Sequence, residues 1–273
     1  MRVAVVGHVE WIELARVPAV PATGAIVHAS ETWAEPGGGG AVAAVQLAKL
    51  AGDALFLTAL GDDELGHRAH DALRALGVRV EVAWRPVPQR RAFVHVDDGG
   101  ERTITVIGDR LGPHGDDALP WDELADVDAV YFTAGDTAAA RRSRAARVMT
   151  ATARALASLA PSGVELDALL ASVADPGERY ERGDLEPEPR LIVRTAGAAG
   201  GGWERPSGER GEWDASPPPG PPVDAYGCGD SFAAGLTWAL GTGMQPADAA
   251  EVAARCGAAC LTGRGPYSAQ LTF

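Results

Sequence analysis

Short apolar runs alternate with helix-forming stretches along most of the chain. Residues 3–6 (VAVV), 54–60 (ALFLTAL), 128–134 (DAVYFTA) and 190–197 (RLIVRTAG) are short and apolar, which predicts strands. Residues 41–52 (AVAAVQLAKLAG) form helices readily and end at a glycine. Strands that alternate with helices favour a mostly parallel sheet with both faces covered.

Two regions depart from this alternation and predict a second, smaller sheet. Residues 10–35 mix polar residues and prolines with alternating apolar positions. Residues 80–107 also alternate, and the turn sequence Asp98-Gly99-Gly100 divides part of them into a hairpin. We expect both regions to pair as a small sheet that projects from the main one.

The remaining segments carry weaker patterns. Residues 138–160 are rich in alanine and arginine and are predicted to be helical up to Pro161. Residues 166–173 (LDALLASV) fit either a short helix or a strand. Residues 198–222 are rich in glycine, proline and tryptophan, which favours short exposed strands joined by tight turns.

The composition is that of a globular protein with a strong acidic excess. Of the 273 residues, 46% are hydrophobic and 22% are charged, and the formal net charge is −13. This charge repels nucleic-acid phosphates and anionic membranes at long range. The chain has three cysteines without a CxxC pair, no signal-peptide pattern and no run of ~18 apolar residues. We therefore expect a cytoplasmic protein that binds neither nucleic acid nor a membrane.

Lysine is almost absent, and this excludes several nucleotide-binding motifs. Of the 24 lysine and arginine residues, only Lys49 is a lysine, and it lies outside any GxxxxGK[ST] loop. The lysine motif of protein kinases is also absent. The first strand leads into VVGHVEW rather than GxGxxG, which argues against a dinucleotide site. Nucleotide chemistry in this chain has to use backbone amides, arginines and a metal ion.

The segment with the clearest chemistry is 224–232 (DAYGCGDSF). Gly227 and Gly229 allow backbone amides to point into one concave nest, and a helix that begins near Asp230 adds its positive end. An aspartate beside such an anion hole can accept a proton from an attacking hydroxyl. The same pattern also fits an ordinary glycine turn with Asp230 as the helix N-cap, and the pattern alone leaves both interpretations open.

This segment resembles the C-terminal signature DTxGAGDxFxxG of the ribokinase-like (PfkB-type) carbohydrate kinases. The departures are Ala225 in place of threonine and Cys228 in place of alanine. Residues 37–52 and 57–66 resemble the N-terminal signature of the same family, although Val42 replaces an asparagine that touches the sugar in relatives. Gly39 replaces a lysine that is common in ribokinase.

Three shorter segments resemble further motifs of this family. Residues 175–178 (DPGE) resemble its NxxE motif, and 195–200 (TAGAAG) resemble its TxGxxG turn near the ATP phosphates. Residues 100–103 (GERT) resemble a hairpin of its lid. The resemblance therefore extends over nearly the whole chain.

The resemblance implies a fold and an activity. The fold is α/β, a three-layer αβα sandwich with a mostly parallel central sheet and a small β-sheet lid. Residues 1–273 form a single kinase domain, with lid segments at approximately 10–35 and 80–107. The implied activity is the ATP-dependent phosphorylation of a hydroxyl of a small sugar or sugar-like substrate.

The resemblance also implies the roles of individual residues. Asp230 is the base, and the amides of Gly227, Cys228 and Gly229 stabilise charge on the transferred phosphoryl group. The expected substrate-binding residues are Glu10, Glu13, Gly38, Gly39, Gly40 and Asp136; those near ATP are Thr195, Gly197, Gly200 and Asp224; those that arrange Mg²⁺ and its waters are Glu178 and Asp175.

Two alternatives keep the same fold. A nucleoside kinase would need an aromatic wall for the base, for which Trp11 and Trp33 are available in the lid. A sensor that binds sugar or nucleotide without catalysis would not need Asp230. Relatives also imply a monovalent cation such as K⁺ near the anion hole, and a homodimer that pairs through the lid.

Overall fold

The computed structural model describes residues 1–272. Its larger sheet has nine strands in the order β13-β12-β11-β10-β9-β8-β1-β4-β5. These strands are β1 (Val3–His8), β4 (Ala54–Gly61), β5 (Val78–Arg85), β8 (Ala129–Phe132), β9 (Val148–Thr152), β10 (Ala168–Ser172), β11 (Ile192–Thr195), β12 (Gly201–Glu204) and β13 (Arg210–Trp213). The strands from β11 to β5 are all parallel, whereas β12 and β13 add an antiparallel hairpin at one edge.

Helices cover both faces of this sheet, as the alternation of the sequence predicts. They are α1 (Gly39–Ala51), α2 (Glu64–Ala75), α3 (Thr137–Ser143), α4 (Leu156–Leu159), α5 (Cys228–Gly241) and α6 (Pro246–Cys260). In β1, Val3 and Val5 belong to a core that includes residues of α1, α5 and α6. Ala4 and Val6 point the other way, into a core that includes residues of α3. The continuous apolar run of β1 is therefore explained by burial on both faces.

A four-stranded lid projects from the larger sheet, and the predicted α/β sandwich with a lid is confirmed. Its strands follow the order β3-β2-β6-β7. They are β2 (Glu10–Arg16), β3 (Glu31–Gly37), β6 (Arg91–Val96) and β7 (Arg102–Ile107). β6 and β7 form the hairpin that the turn at residues 98–100 predicts.

The first part of the predicted lid segment 80–107 lies elsewhere. Residues 80–85 belong to β5, which pairs in parallel with β4 at the edge of the larger sheet. Val78 and Val80 are buried in the core beside α2, while Arg79 and Trp84 are exposed. An edge strand with one covered face alternates like a lid strand, and this explains why the pattern misplaced it.

The prediction of a helical segment over residues 138–160 holds at its two ends, in α3 and α4, but is wrong in the middle. α3 ends at Ser143, and β9 then runs through the middle of the large sheet between β8 and β10. Met149 and Ala151 are fully buried there. Pairing on both sides outweighs the helix propensity of the surrounding alanines. The ambiguous stretch 166–173 contains the strand β10.

No helix among residues 1–272 is both long and apolar enough to cross a membrane.

Candidate active site

A cavity of about 650 Å³ lies between the lid and the carboxyl ends of the central strands. His8 ends β1, Thr152 ends β9 and Ser172 ends β10, and all three line it. β7 of the lid contributes Ile104 and Val106 from the opposite side. The carboxyl edge of a parallel sheet is the usual ligand site of open α/β folds.

The N-terminal end of α5 forms one wall of this cavity. Gly227 is the N-cap residue and has a left-handed backbone, with φ of 84°. A Cβ atom at this position would lie 2.8 Å from Pro266 and 3.0 Å from Val42, so both conformation and space require glycine. Gly227 and Gly229 line the cavity, whereas Cys228 lies between them, outside the lining. The residues of the predicted anion hole therefore lie at the start of a helix, beside the cavity.

Asp230 lies in the first turn of α5 and faces the cavity. Since the N-cap is Gly227, the alternative interpretation of Asp230 as a capping residue does not hold. Its carboxylate accepts no hydrogen bond from any residue in 1–272. Burial and the nearby Glu178 raise the pKa of Asp230 to about 7, against the opposing effect of Arg102 and Arg154. A carboxylate in this state is suited to general-base chemistry near neutral pH.

The glycine run at the start of α1 approaches Asp230 directly. A Cβ atom on Gly39 would lie 2.8 Å from Asp230 Oδ1, so a side chain there would displace the carboxylate. The Gly38 amide donates to the Tyr226 hydroxyl at 3.0 Å, which ties this run to the turn before α5. Gly38 and Gly39 line the cavity. Gly40 packs behind them against the His8 backbone.

Two acidic residues follow β10 and also face the cavity, as the DPGE motif predicts. Asp175 and Glu178 flank a short helical turn and are both hydrogen-bonded by Arg154. The pKa of Asp175 is lowered because the Gly177 amide and Arg154 together outweigh the opposing effect of burial. Carboxylate oxygens are the ligand type that Mg²⁺ and its bound waters prefer, so these residues fit the predicted metal.

Of the four residues predicted to lie near ATP, one lines the cavity and three do not. Thr195, at the end of β11, lines the cavity. Gly197 and Gly200 lie in the turn between β11 and β12, outside its lining. Asp224 is fully buried, and its carboxylate accepts from the amides of Tyr226 and Gly265 at 2.8 and 3.1 Å. Asp224 therefore holds the turn that leads into α5.

Of the three acidic residues predicted to bind substrate, only Glu10 lines the cavity. It is buried and accepts from Arg90 Nε at 2.6 Å. Glu13 lies on the opposite face of β2, because side chains alternate along a strand, and it lies 3.9 Å from Arg91. Asp136 caps α3 by accepting from the Ala139 amide at 2.7 Å.

The sequence reasoning missed a set of arginines that converge on the cavity. Arg90, Arg102, Arg110 and Arg154 all line it, and each comes from a different segment of the chain. Arg102 donates to the Ala225 carbonyl at 3.1 Å. Neither Arg102 nor Arg110 has an ion pair with any residue in 1–272. In the sequence, only Arg102 is part of a recognised motif, GERT. The positions of Arg90, Arg110 and Arg154 along the chain form no pattern that would connect them.

Arg110 and His8 lie at one end of the cavity, close to other arginines. Burial lowers the pKa of Arg110, and the neighbouring Arg90 and Arg154 lower it further. Burial also lowers the pKa of His8 well below its usual value, with a further effect from Arg110. The Nδ1 atom of His8 is buried without a hydrogen-bond partner among the described residues. This end of the cavity can therefore receive an anionic ligand.

Comparison with known proteins identifies the family. Residues 1–176 and 185–272 match the pfkB family carbohydrate kinases. The ATP-dependent ribose-1-phosphate kinase of Halopiger xanaduensis is 29% identical over 299 residues, covering 98% of this chain and 95% of that protein.

Solved structures share the fold. A putative ribokinase from Agrobacterium tumefaciens superposes with a TM-score of 0.82 at 23% identity, covering 99% of this chain and 94% of that one. Ribokinase from Thermotoga maritima superposes with a TM-score of 0.79 at 20% identity, covering 100% and 96%. Because the family match extends over both of these ranges, the chain belongs to the pfkB family of carbohydrate kinases and is an ATP-dependent phosphotransferase.

Proposed function

We propose that this kinase transfers the γ-phosphoryl group of ATP to a hydroxyl of a small sugar that already carries a phosphate group. The observation that carries the proposal is the composition of one cavity. Among residues 1–272, the carboxylate of Asp230 at the N-terminal end of α5 accepts no hydrogen bond, and Arg102 and Arg110, which have no carboxylate partner, face the same space. The first group suits proton removal from a hydroxyl, and the second suits an anionic substituent.

Asp230 is the proposed general base. With a pKa raised to about 7, it is about half deprotonated at neutral pH and basic enough to accept a proton. The acceptor hydroxyl would lie on the side of the Asp230 carboxylate that faces the cavity, which Gly38 and Gly39 border. Since a side chain at position 39 would displace the carboxylate, Gly39 allows Asp230 to keep this position.

The amides of Gly227, Cys228 and Gly229 are proposed to stabilise charge on the transferred phosphoryl group. They lie at the N-terminal end of a 14-residue helix, where backbone N–H groups are unpaired and the helix dipole is positive. Such fixed donors need little reorganisation during the reaction. Phosphoryl transfer depends mainly on positioning and charge stabilisation of this kind.

Asp175 and Glu178 would hold Mg²⁺ through its waters, and Thr195 would border the nucleotide. Bound magnesium neutralises charge on the phosphate oxygens. The lid excludes water from the acceptor side, which favours transfer to the sugar over hydrolysis of ATP.

The phosphate of the acceptor is proposed to bind between Arg90 and Arg110. Glu10 holds Arg90 in place through the 2.6 Å hydrogen bond, and Arg110 remains without an ion pair among residues 1–272. Buried guanidinium groups bind phosphate through charge-assisted, often bidentate hydrogen bonds. His8 has an unpartnered Nδ1 in the same region and can add a further contact. The name of the Halopiger relative, a ribose-1-phosphate kinase, describes an acceptor of this class.

The structure offers little to a nucleoside acceptor. Trp11 packs beneath Arg68, with 4.6 Å from the guanidinium carbon to the ring centre. Trp33 packs against Arg264 in the same way at 4.4 Å. Neither tryptophan lines the cavity, so neither supplies the wall that a base would need.

The test is ADP release from Mg-ATP with a panel of pentose and hexose phosphates, the corresponding free sugars and adenosine. We expect a phosphorylated sugar to be the best acceptor. Arg110→Gln should raise the KM for that acceptor about 10- to 100-fold, because a hydrogen bond to a charged group contributes roughly 1.5–3 kcal/mol. The KM for ATP should change little.

Arg91→Gln is the matched control. Arg91 is adjacent to Arg90 in sequence but lies beside Glu13, outside the cavity lining, so its loss should leave both KM values unchanged. A preference for a free sugar or for adenosine, or an unchanged acceptor KM in Arg110→Gln, would contradict the proposed acceptor class.

A further inference from the structure

Arg154 lies on the side of the cavity where magnesium is expected and holds both acidic residues there. Its Nε donates to Glu178 Oε1 at 3.2 Å, and its Nη2 donates to Asp175. One guanidinium group therefore binds both carboxylates to which the proposed function gives the metal-bound waters, and it offsets part of their negative charge. In the free enzyme, the positive charge of Arg154 takes the place that a metal ion would have beside these two carboxylates.

The guanidinium group of Arg154 also interacts electrostatically with Asp230, the proposed base. Arg154 lines the cavity together with Asp230. Its charge opposes the rise in the pKa of Asp230 and contributes to the lowered pKa of Arg110. Arg154 thus shares one cavity with both carboxylates after β10, to which it is hydrogen-bonded, and with Asp230 of α5.

The side chain can move although its backbone is fixed. Arg154 follows the end of β9 in the short helical turn Ala153–Ala155, and its amide donates to Thr152 Oγ1 at 3.2 Å. The side chain is 35% exposed, so the guanidinium borders open space. A change of hydrogen-bond partner therefore needs rotation of the side chain only.

We infer that Arg154 exchanges partners during the catalytic cycle. In the free enzyme it is hydrogen-bonded to Asp175 and Glu178, and with Mg-nucleotide bound it donates hydrogen bonds to the transferred phosphoryl group. The carboxylates cannot hold metal-bound water fully while both are hydrogen-bonded to Arg154. Once released, the guanidinium group of Arg154 donates hydrogen bonds to the phosphoryl oxygens, where negative charge has to be stabilised. This inference rests on the proposed function.

A neighbouring glycine provides a way to displace Arg154 without removing its charge. A Cβ atom on Gly177 would lie 2.9 Å from Arg154 Nη1 and 3.2 Å from Asp175 Oδ1. Gly177→Ala should therefore push the guanidinium group away from the carboxylates.

The first measurement is the binding of Mn²⁺, followed by electron paramagnetic resonance, to enzyme without nucleotide or acceptor. Wild-type enzyme should bind Mn²⁺ weakly, because Arg154 competes for the carboxylates. Arg154→Gln should bind it about tenfold more tightly, and Gly177→Ala should change in the same direction by a smaller factor. Since no ATP or acceptor is present, this result does not depend on Asp230 or on the acceptor class.

The second measurement is turnover with Mg-ATP. Arg154→Gln should lower kcat by about 10²-fold, the usual effect of removing one donor to a developing charge, and Arg154→Lys should restore part of it. The KM for ATP should change much less than kcat. If Arg154 only supported the fold, its replacement would not lower kcat and at the same time raise the affinity for the metal ion.

Arg79→Gln is the matched control, because Arg79 also bridges two carboxylates, Glu81 and Glu123, but does so at the surface. It should change neither measurement. Unchanged or weaker Mn²⁺ binding in Arg154→Gln would overturn the pairing in the free enzyme. Unchanged kcat in that variant would overturn the role at the phosphoryl group. If Asp230→Asn retained full turnover while Arg154→Gln behaved as expected, the base assignment would fail and this inference would stand.

Discussion

At the scale of the residue, Asp230 combines two properties that usually conflict. It is near enough to the cavity to meet a substrate hydroxyl and is also desolvated, so its charged form is disfavoured. Folding therefore favours protonated Asp230, although the proposed reaction needs the deprotonated form. The energetic cost of this arrangement should be measurable, both in catalysis and in stability.

The pH dependence of catalysis follows from the pKa of about 7. Below this value Asp230 is mostly protonated and cannot accept a proton, so kcat/KM should fall as pH decreases through about 7. This parameter reports groups of the free enzyme, which is the state described by the structure. A profile that stays flat between pH 6 and 8 would contradict the pKa and with it the role of Asp230.

The pH dependence of stability has the opposite sign. Between its usual pKa of 3.8 and the raised value of about 7, Asp230 binds a proton only in the folded state, so it stabilises the fold as pH falls. Above about 7 this contribution is lost. Asp230→Asn, which removes the buried charge, should therefore raise Tm relative to wild type more at pH 8 than at pH 5. Equal differences at the two pH values would show that burial does not disfavour the charge.

At the scale of the element, the turn into α5 depends on a glycine that no side chain can replace without strain. Gly227→Ala should lower the free energy of unfolding by about 1–3 kcal/mol, from the left-handed backbone and the contacts with Pro266 and Val42. It should also reduce kcat, because the amides of the anion hole begin at this residue. Chemical denaturation and initial rates measure the two effects.

Gly243 supplies the control for this prediction. Its φ of 89° is close to that of Gly227, but a Cβ atom there would meet nothing within 4 Å. Gly243→Ala should therefore show the backbone cost alone, with kcat unchanged. An equal loss of activity in both variants would indicate a general effect on α5 rather than a specific effect on the anion hole.

The elements also show which parts of the fold local patterns can reveal. β1 was predictable because its apolar run reflects burial on both faces, and the β6–β7 hairpin was predictable from its turn residues. β9 was not, because its strand state is set by β8 and β10 on either side rather than by its own alanine-rich surroundings. β5 was assigned to the wrong sheet because an edge strand alternates in the same way wherever it pairs.

At the scale of the whole molecule, the sequence reveals the parts of the site that are contiguous and hides those that the fold assembles. The turn before Asp230 and the DPGE segment were found because their residues are neighbours in the chain. Arg90, Arg110 and Arg154 come from separate segments, and only the tertiary structure brings their guanidinium groups together.

Net charge is similarly uninformative about the site. A chain with a formal charge of −13 gathers four arginines around one cavity, so its global repulsion of anions coexists with a local attraction. The homodimer through the lid and the monovalent cation near the anion hole stay predictions of the family resemblance.

The measurement that tests the central claim most directly is phosphoryl transfer by Asp230→Asn beside wild type, with Mg-ATP affinity measured on the same samples. If Asp230 is the base, kcat should fall at least ~10²-fold, since a positioned base contributes about 10²–10⁴, while ATP binds as before. Turnover close to wild type, with ATP bound equally well, would remove Asp230 from the mechanism.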